Sequence, residues 1–231
     1  MKNITIIAAS DIKLNQTINS LLISSRYLNP SECILFSSKK LNKDLSSKGI
    51  KYQNIPPIKS MKDYSDFIIF ELHKYIKTSH VLIVQWDGFI INPKKWEDFF
   101  LEYDYIGAPL IPRNNSNSYA RDSNGDFYII GNGGFSLRSK RLLEAPFKYN
   151  LADEQRHTNH HEDGFFSVFH RKFLESKEFK WAPYQIAKLF SIESPLSFSE
   201  LIELPFGFHG KKLLPIVKLK RIKDFIFNIK N

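Results

Sequence analysis

Short apolar runs alternate with polar stretches along the chain, and the period of the alternation changes from one run to the next. Ile4 to Ala9 is a largely β-branched run bounded by polar residues, which predicts a buried strand. Residues 15–25 place Ile18, Leu21 and Leu22 at i, i+3, i+4 spacing and predict a helix. Residues 33–36 read as a second short strand and 37–49 as a polar loop region. Ser60 with Asp63 makes a capping-box-like start to a helix that runs to about Lys77, with Met61, Tyr64, Ile68, Leu72 and Tyr75 on one face. Residues 81–85 form an apolar strand that ends abruptly at Trp86, Asp87 and Gly88. Asn92 and Pro93 then read as an N-cap with proline at the first helical position, opening a helix through Trp96 and Phe100. Strand, helix, strand, helix, strand in this order predicts an α/β domain with a mostly parallel central sheet and helices on both faces. Ligands of such sheets bind beyond the carboxyl ends of the strands, and the Asp87 turn lies at such an end.

The second half is more broken. Residues 109–126 carry Asn114, Asn115, Asn117 and Gly125 and read as a loop. A strand over 127–130 leads into Gly131, Asn132, Gly133 and Gly134, read as a tight turn or bulge, and a short strand over 135–137 follows. A helix from Ser139 to about Ala145 is expected to end at Pro146. A loop with His157, His160 and His161 precedes Glu162 and Asp163, and 165–174 reads as helical. No internal repeat or low-complexity segment is present.

Composition narrows the picture. With 231 residues, 42% of them hydrophobic and 20 of them Phe, the chain is too apolar for disorder and suits one domain, expected over 1–210 with a separate segment at 211–231. The single cysteine, Cys33, excludes an internal disulfide framework and a cysteine-based zinc ribbon, and fits a reducing, cytoplasmic compartment. The first apolar run is shorter than a secretory h-region, and no 18-residue apolar stretch exists to span a membrane. Of the net charge of +9, the last 21 residues hold seven Lys or Arg against one acid, Asp224, a surplus of six. A nearly balanced body with a basic end argues against nucleic acid and for a patch with its own partner. From Leu219 onward Ile222, Phe225, Ile226 and Ile229 recur at helical spacing among Lys218, Lys220, Arg221, Lys223 and Lys230. This reads either as attachment to an anionic membrane surface or as a helix packed on the domain.

Each chemistry-bearing segment has two readings. Asp87, on a tight turn after an apolar strand, is placed to bind a hard cation through oxygen, or else caps its own turn. The run from Gly131 to Gly134 lets a backbone approach a ligand closely, yet matches neither the Rossmann nor the P-loop spacing. Glu162 and Asp163 are adjacent carboxylates at a helix start, fit for a general base with a structural or acceptor-orienting neighbour, or for a helix cap. The three clustered histidines lack zincin spacing. His209, between Phe208 and Gly210, reads as a loop residue whose ring reaches a ligand or metal, or simply faces the surface. Trp86, Trp96 and Trp181 read as core, with Trp86 also a candidate sugar platform beside Asp87.

Taken in order, Val81 to Pro93, Trp96, Tyr103 to Pro109, Gly131 to Ser139, His161 to Asp163 and Phe206 to Gly210 form one ordered motif set. It resembles a family of uncharacterised bacterial and fungal glycosyltransferase-like domains, itself similar to the GT-A superfamily of nucleotide-sugar transferases, over about residues 50–210. The resemblance implies a single GT-A-like domain. It makes Asp87 the last acid of the Asp-x-Asp motif, which binds manganese or magnesium on the donor diphosphate, with neutral Gln85 at the motif's first position. It makes Asn132, Gly133 and Gly134, with Gln85 and Trp86, the donor and acceptor pocket. Asp163 becomes the base of an inverting transfer with Glu162 beside it, and His209 the late histidine of the metal or diphosphate site. The partners implied are a nucleotide-sugar donor, UDP-linked, and a glycan acceptor, lipid-linked if the enzyme sits on the inner face of the cytoplasmic membrane in bacterial surface polysaccharide biosynthesis. The same side chains would also suit a metal-dependent hydrolase or a non-catalytic carbohydrate-binding protein, and fold alone does not choose between them.

Overall fold

The first apolar run forms β1 (Lys2–Ala9), whose side chains alternate between two buried layers, Ile4, Ile6 and Ala8 in one and Ile7 and Ala9 in the other. That double burial is why the run is unbroken rather than alternating. The computed structural model describes residues 2–41, 44–110, 124–125, 128, 130–152, 161–194 and 203–219. β1 lies inside a six-stranded sheet with β2 (Pro30–Ser37), β3 (Lys51–Asn54), β4 (His80–Ile83), β6 (Tyr105–Leu110) and β7 (Ile130–Ser139), in the order β3-β2-β1-β4-β7-β6. The first four of these strands are parallel, and β7 pairs antiparallel with both β4 and β6. On one face α1 (Leu14–Leu28) buries Leu21 and Leu28 against Ile4, Ile6 and Leu35. On the other, α2 (Met61–Asp66) continues through a wide turn at Phe67–Glu71 and a tight one at Leu72–Tyr75, burying Phe67, Ile68 and Leu72 against Ile7, Phe36 and Ile83. Each fully buried Leu or Ile contributes roughly 1.5–3 kcal/mol. The mostly parallel sheet with helices on both faces is therefore as the hydrophobic pattern predicts.

The start of α2 also follows its sequence signal, since Ser60 accepts a hydrogen bond from the Asp63 N–H at 3.1 Å and the Asp63 carboxylate accepts one from the Lys59 N–H at 2.9 Å. Other local expectations give way to tertiary packing. Met61 is exposed rather than on the buried face. Residues 92–100 form two separate 3₁₀ turns, Pro93–Lys95 and Asp98–Glu102, instead of a helix. Asn92 does not cap, because its amide donates to the Leu204 carbonyl at 3.1 Å, and the break lets Trp96 and Phe100 both meet Phe206. The helix α3 (Lys140–Lys148) runs past Pro146, which lies inside its last turn, while Ser139 caps its start through the Leu142 N–H.

A second, three-stranded sheet of order β5-β9-β8 is built from β5 (Gly88–Ile90), β8 (Ser191–Ile192) and β9 (Gly207–His209). Its cluster of Phe89, Ile91, Ile192, Leu204 and Phe208 also takes in Leu213 and Val217. The first part of the basic segment, helical over 214–219, is thus packed on the domain. Ile222, Phe225, Ile226, Ile229 and their neighbouring cations lie outside the described residues. No described helix is long and apolar enough to cross a membrane.

Candidate functional site

Asp87 sits at the tip of a tight hairpin closed by the Gln85 N–H to the Gly88 carbonyl and the Gly88 N–H to the Gln85 carbonyl, both at 3.0 Å. β5 then pairs antiparallel with β9, setting Gly88 opposite His209, and the Gly210 N–H donates to the Asp87 carbonyl at 2.9 Å. Two residues far apart in the chain are so brought face to face. His209 Nε2 lies 3.7 Å from Asp87 Oδ1 and 3.2 Å from Gln85 Oε1, and its Nδ1 lies 3.0 Å from Glu193 Oε1. The Gln85 amide in turn donates to the buried Tyr64 hydroxyl at 3.1 Å. Burial works against charge on the His209 ring, but the Glu193 hydrogen bond and the charges of Glu193, Asp87 and Asp163 outweigh it, so the imidazolium's pKa lies above its ordinary value. His209 is a strand residue, not the loop residue that its flanking glycine suggests. The reason is that β9 has a neighbour on each side.

The tight turn or bulge expected from Gly131 to Gly134 is a bulge and not a turn: the segment lies inside a continuous strand, β7, whose register against β6 shifts between the Gly107–Ser136 and Pro109–Gly131 pairs. Because β7 runs antiparallel to β4 and their pairing begins at Ile83 and Ser136, these glycines project past the carboxyl end of β4. Their missing side chains serve close packing rather than a turn. A Cβ on Gly133 would collide with Glu162 Oε1, and one on Gly134 with the His209 ring, so side chains close in on both faces of the strand. Asn132 Oδ1 accepts from the Gly134 N–H at 2.7 Å and holds this segment in shape.

On the Gly133 face, Glu162 opens α4 (Glu162–Gly164), and its Oε1 accepts from Arg138 Nη2 at 2.9 Å. Arg138 is fully buried and also donates to Ser136 Oγ at 3.1 Å and to the Tyr105 hydroxyl at 3.3 Å. Asp163 accepts from the Gly133 N–H at 3.2 Å and from the Gly164 N–H at 2.8 Å. Burial first, and then the Glu162 carboxylate beside it, push the Asp163 carboxyl up to about 7, against the Arg138 charge and the two backbone donors. A carboxyl so tuned accepts a proton readily near neutrality. Trp86, at the hairpin tip, carries the Lys13 ammonium 3.2 Å above its ring, with Lys13 in the left-handed region at φ 49°. Trp181 is buried, and Trp96 packs on the main core.

Sequence reasoning missed Glu193, Arg138 and the Tyr64 hydroxyl. Arg138 left a trace, a charge inside an otherwise small and apolar strand. Glu193 left none, since it follows a two-residue strand with no motif around it. His157 and His160 lie outside the described residues, while His161 immediately precedes α4.

Among the described residues, no group of three or more His, Cys, Asp or Glu gathers as a metal cage. Asp87 and His209 nevertheless fit a divalent cation. Asp87 Oδ1 is buried with no hydrogen-bond partner. Its 3.7 Å separation from Nε2 suits a shared ion, because donors about 2.1 Å from one centre sit roughly 3–4 Å apart. Ions of this kind are commonly held by one or two protein groups, with phosphate oxygens and water completing the shell.

The arrangement belongs to a mixed α/β, glycosyltransferase-like fold. A crystal structure of a glycosyltransferase involved in the glycosylation of the major capsid of PBCV-1 is similar over 95% of this chain and 98% of that one, with a TM-score of 0.55 and 13% identity. The apo-form glycosyltransferase GlyE of Streptococcus pneumoniae TIGR4 is similar over 90% of this chain and 54% of that one, at a TM-score of 0.49 and 13% identity. The mannosyltransferase PcManGT from Pyrobaculum calidifontis, in complex with GDP-Man and Mn2+, is similar over 62% of this chain and 46% of that one, at a TM-score of 0.40 and 10% identity. This chain spans about half the length of each of the last two. No curated protein matches it. By sequence the chain belongs to the family described as "Protein of unknown function (DUF5672)", matched over residues 49–209, a span that holds Gln85, Asp87, the β7 glycines, Glu162, Asp163, Glu193 and His209.

Proposed function

We propose that this chain is a GT-A-type glycosyltransferase that moves a sugar from a UDP-linked donor to a glycan acceptor with inversion. The observation that carries this reading is the convergence on one glycine pair of a proton-accepting carboxyl, Asp163, and a carboxylate–imidazole pair, Asp87 and His209, in which Asp87 Oδ1 makes no hydrogen bond. Glycosyl transfer needs both functions, an acceptor hydroxyl relieved of its proton and a leaving diphosphate relieved of its charge. Asp163 takes the acceptor proton as the acceptor oxygen bonds to the anomeric carbon. The bond from that carbon to the diphosphate oxygen breaks, its electron pair leaves with the nucleoside diphosphate, and attack opposite the leaving group inverts the centre. A manganese or magnesium ion bound by Asp87 and His209 would supply positive charge at that diphosphate. Without a cation, Asp87 and Glu193 would repel the donor, so donor binding should depend on one. Glu162, engaged by Arg138, holds the start of α4 in place and leaves proton transfer to Asp163.

A thermal-shift screen of nucleotide sugars with and without manganese tests the reading, followed by detection of a glycosylated product. Stabilisation that requires both sugar nucleotide and metal supports it. Sugar released to water as fast as to any acceptor favours a hydrolase, and no response to any nucleotide sugar favours a non-catalytic role.

The proposal extends to location. Residues 220–231 continue the basic sequence with apolar residues at helical spacing, and each Lys or Arg near an anionic leaflet contributes on the order of 1 kcal/mol. Binding at the inner face of the cytoplasmic membrane would bring the site to a lipid-linked acceptor of surface polysaccharide biosynthesis. Since Leu213 and Val217 are core residues, the truncation that tests this ends at Leu219. Equal partitioning of the full and truncated chains onto anionic vesicles at low salt removes the membrane part of the proposal.

A further inference from the structure

β8 and β9 pair in parallel with Ile192 beside Phe208, so the next step of the register sets Glu193 beside His209. Glu193 Oε1 lies 3.0 Å from His209 Nδ1, and its Oε2 is buried with no hydrogen-bond partner. An ionised carboxylate only accepts hydrogen bonds, so this contact requires a proton on Nδ1, and in the neutral ring, the form that binds a metal, it leaves the Nε2 lone pair on the Asp87 side. The Gln85 amide pulls the other way. Its Oε1, 3.2 Å from Nε2, would be satisfied by an Nε2–H, the tautomer that turns a proton toward Asp87. Packing does not decide between the two, because the ring is clamped in one plane. A Cβ on Gly134 would overlap the ring, and one on Gly88 would come within 3.0 Å of its Cδ2. The clamp fixes where the ring lies, and only its hydrogen-bond partners fix which nitrogen is bare.

Resting on the reading that Asp87 and His209 hold a divalent cation, we infer that Glu193 is a positioning residue that selects the Nδ1–H tautomer of His209 and so opens Nε2 to the ion. Histidines that bind metals commonly donate their second N–H to a carboxylate, and loss of that partner lowers metal affinity about 10–100-fold. Glu193 does this from the end of the second sheet, immediately after β8.

The test is manganese binding to the full chain with UDP or GDP present, followed by the electron spin resonance signal of free manganese. Wild type, Glu193→Gln, Glu193→Ala and Asp87→Ala are compared, and nitrogen NMR of His209 is recorded on the metal-free proteins. Glu193→Ala is expected to bind manganese about 10–100-fold more weakly, Glu193→Gln by less, with unchanged melting temperatures and with the Nδ1–H signature of His209 lost in the alanine variant. Manganese affinity unchanged in Glu193→Ala but reduced in Asp87→Ala overturns the role of Glu193 and leaves the cation site standing. Equal manganese binding by wild type and Asp87→Ala overturns the cation reading and this inference with it. A His209 ring that keeps Nδ1 protonated in Glu193→Ala overturns the tautomer argument directly.

Discussion

The two faces of the β7 glycine pair hold buried charge in opposite ways. On the Gly133 face, Arg138 and Glu162 close on each other at 2.9 Å, and Ser136 and Tyr105 take up further donors of the guanidinium. On the Gly134 face, Asp87 and Glu193 flank one histidine, and each keeps a buried carboxylate oxygen with no partner. Strand and depth are shared, yet on the first face the charges meet in a direct ion pair that leaves only Arg138 Nη1 without a hydrogen-bond partner, whereas on the second each carboxylate keeps a buried oxygen free of hydrogen bonds. A buried ion pair at hydrogen-bond distance marks where the chain is held together, whereas a carboxylate oxygen held 3.7 Å from its imidazole leaves room for something between them.

Four outcomes would break or sharpen that contrast. The largest effect is expected at the seam between the faces, where Asp163→Asn should leave donor binding intact and lower transfer by roughly 10²–10⁴-fold. Near-normal turnover of this variant would remove Asp163 as the base. On the closed face, Arg138→Met leaves Glu162 buried and unpaired and should destabilise the fold by about 3–5 kcal/mol in chemical denaturation. The double variant Arg138→Met with Glu162→Met should lose less than the single one. A double variant as unstable as the sum of its parts would mean the pair is not closed in the sense argued.

On the open face, Asp87→Ala removes a buried carboxylate oxygen that makes no hydrogen bond within the fold. It should therefore weaken nucleotide-sugar binding by roughly tenfold, about 1.4 kcal/mol, and abolish the difference between manganese and EDTA, with His209→Ala doing so less severely. Equal donor affinity of the wild type in EDTA and in manganese, by calorimetry, would sink the metal half of the reading. The smallest effect is in the pH dependence. With the Asp163 carboxyl pushed up to about 7, kcat/KM should rise as pH climbs through neutrality. The same shift has a consequence for stability: a carboxyl whose folded pKa is raised stabilises the fold below its ordinary value of 3.8 and loses that contribution as pH climbs to about 7. Asp163→Asn should flatten that decline and melt slightly higher than wild type at pH 8. A wild-type melting temperature that does not fall between these limits relative to the variant would contradict it.

The ordered apolar runs made the α/β architecture legible before any coordinates, because a strand buried on both faces and a helix buried on one leave different periods in the sequence. Ser60 announced the start of α2, and Asp87 announced a turn beyond the end of a buried strand, since caps and turns are read within a few residues. Asp163, His209 and the β7 glycines were visible as unusual residues, though not in what they do to one another. Only the tertiary structure decided that the glycines lie inside a strand, that β5 and β9 pair to bring Asp87 to His209, and that Glu193 and Arg138 belong to the site at all. Local sequence records what a residue requires of its own backbone and of its nearest neighbours along the chain. A missing Cβ at Gly133 or Gly134 says that something approaches closely, but which side chain fills the space is set by tertiary packing, at Gly133 by Glu162 of α4 and at Gly134 by His209, which β9 brings in by pairing with β5 more than a hundred positions earlier.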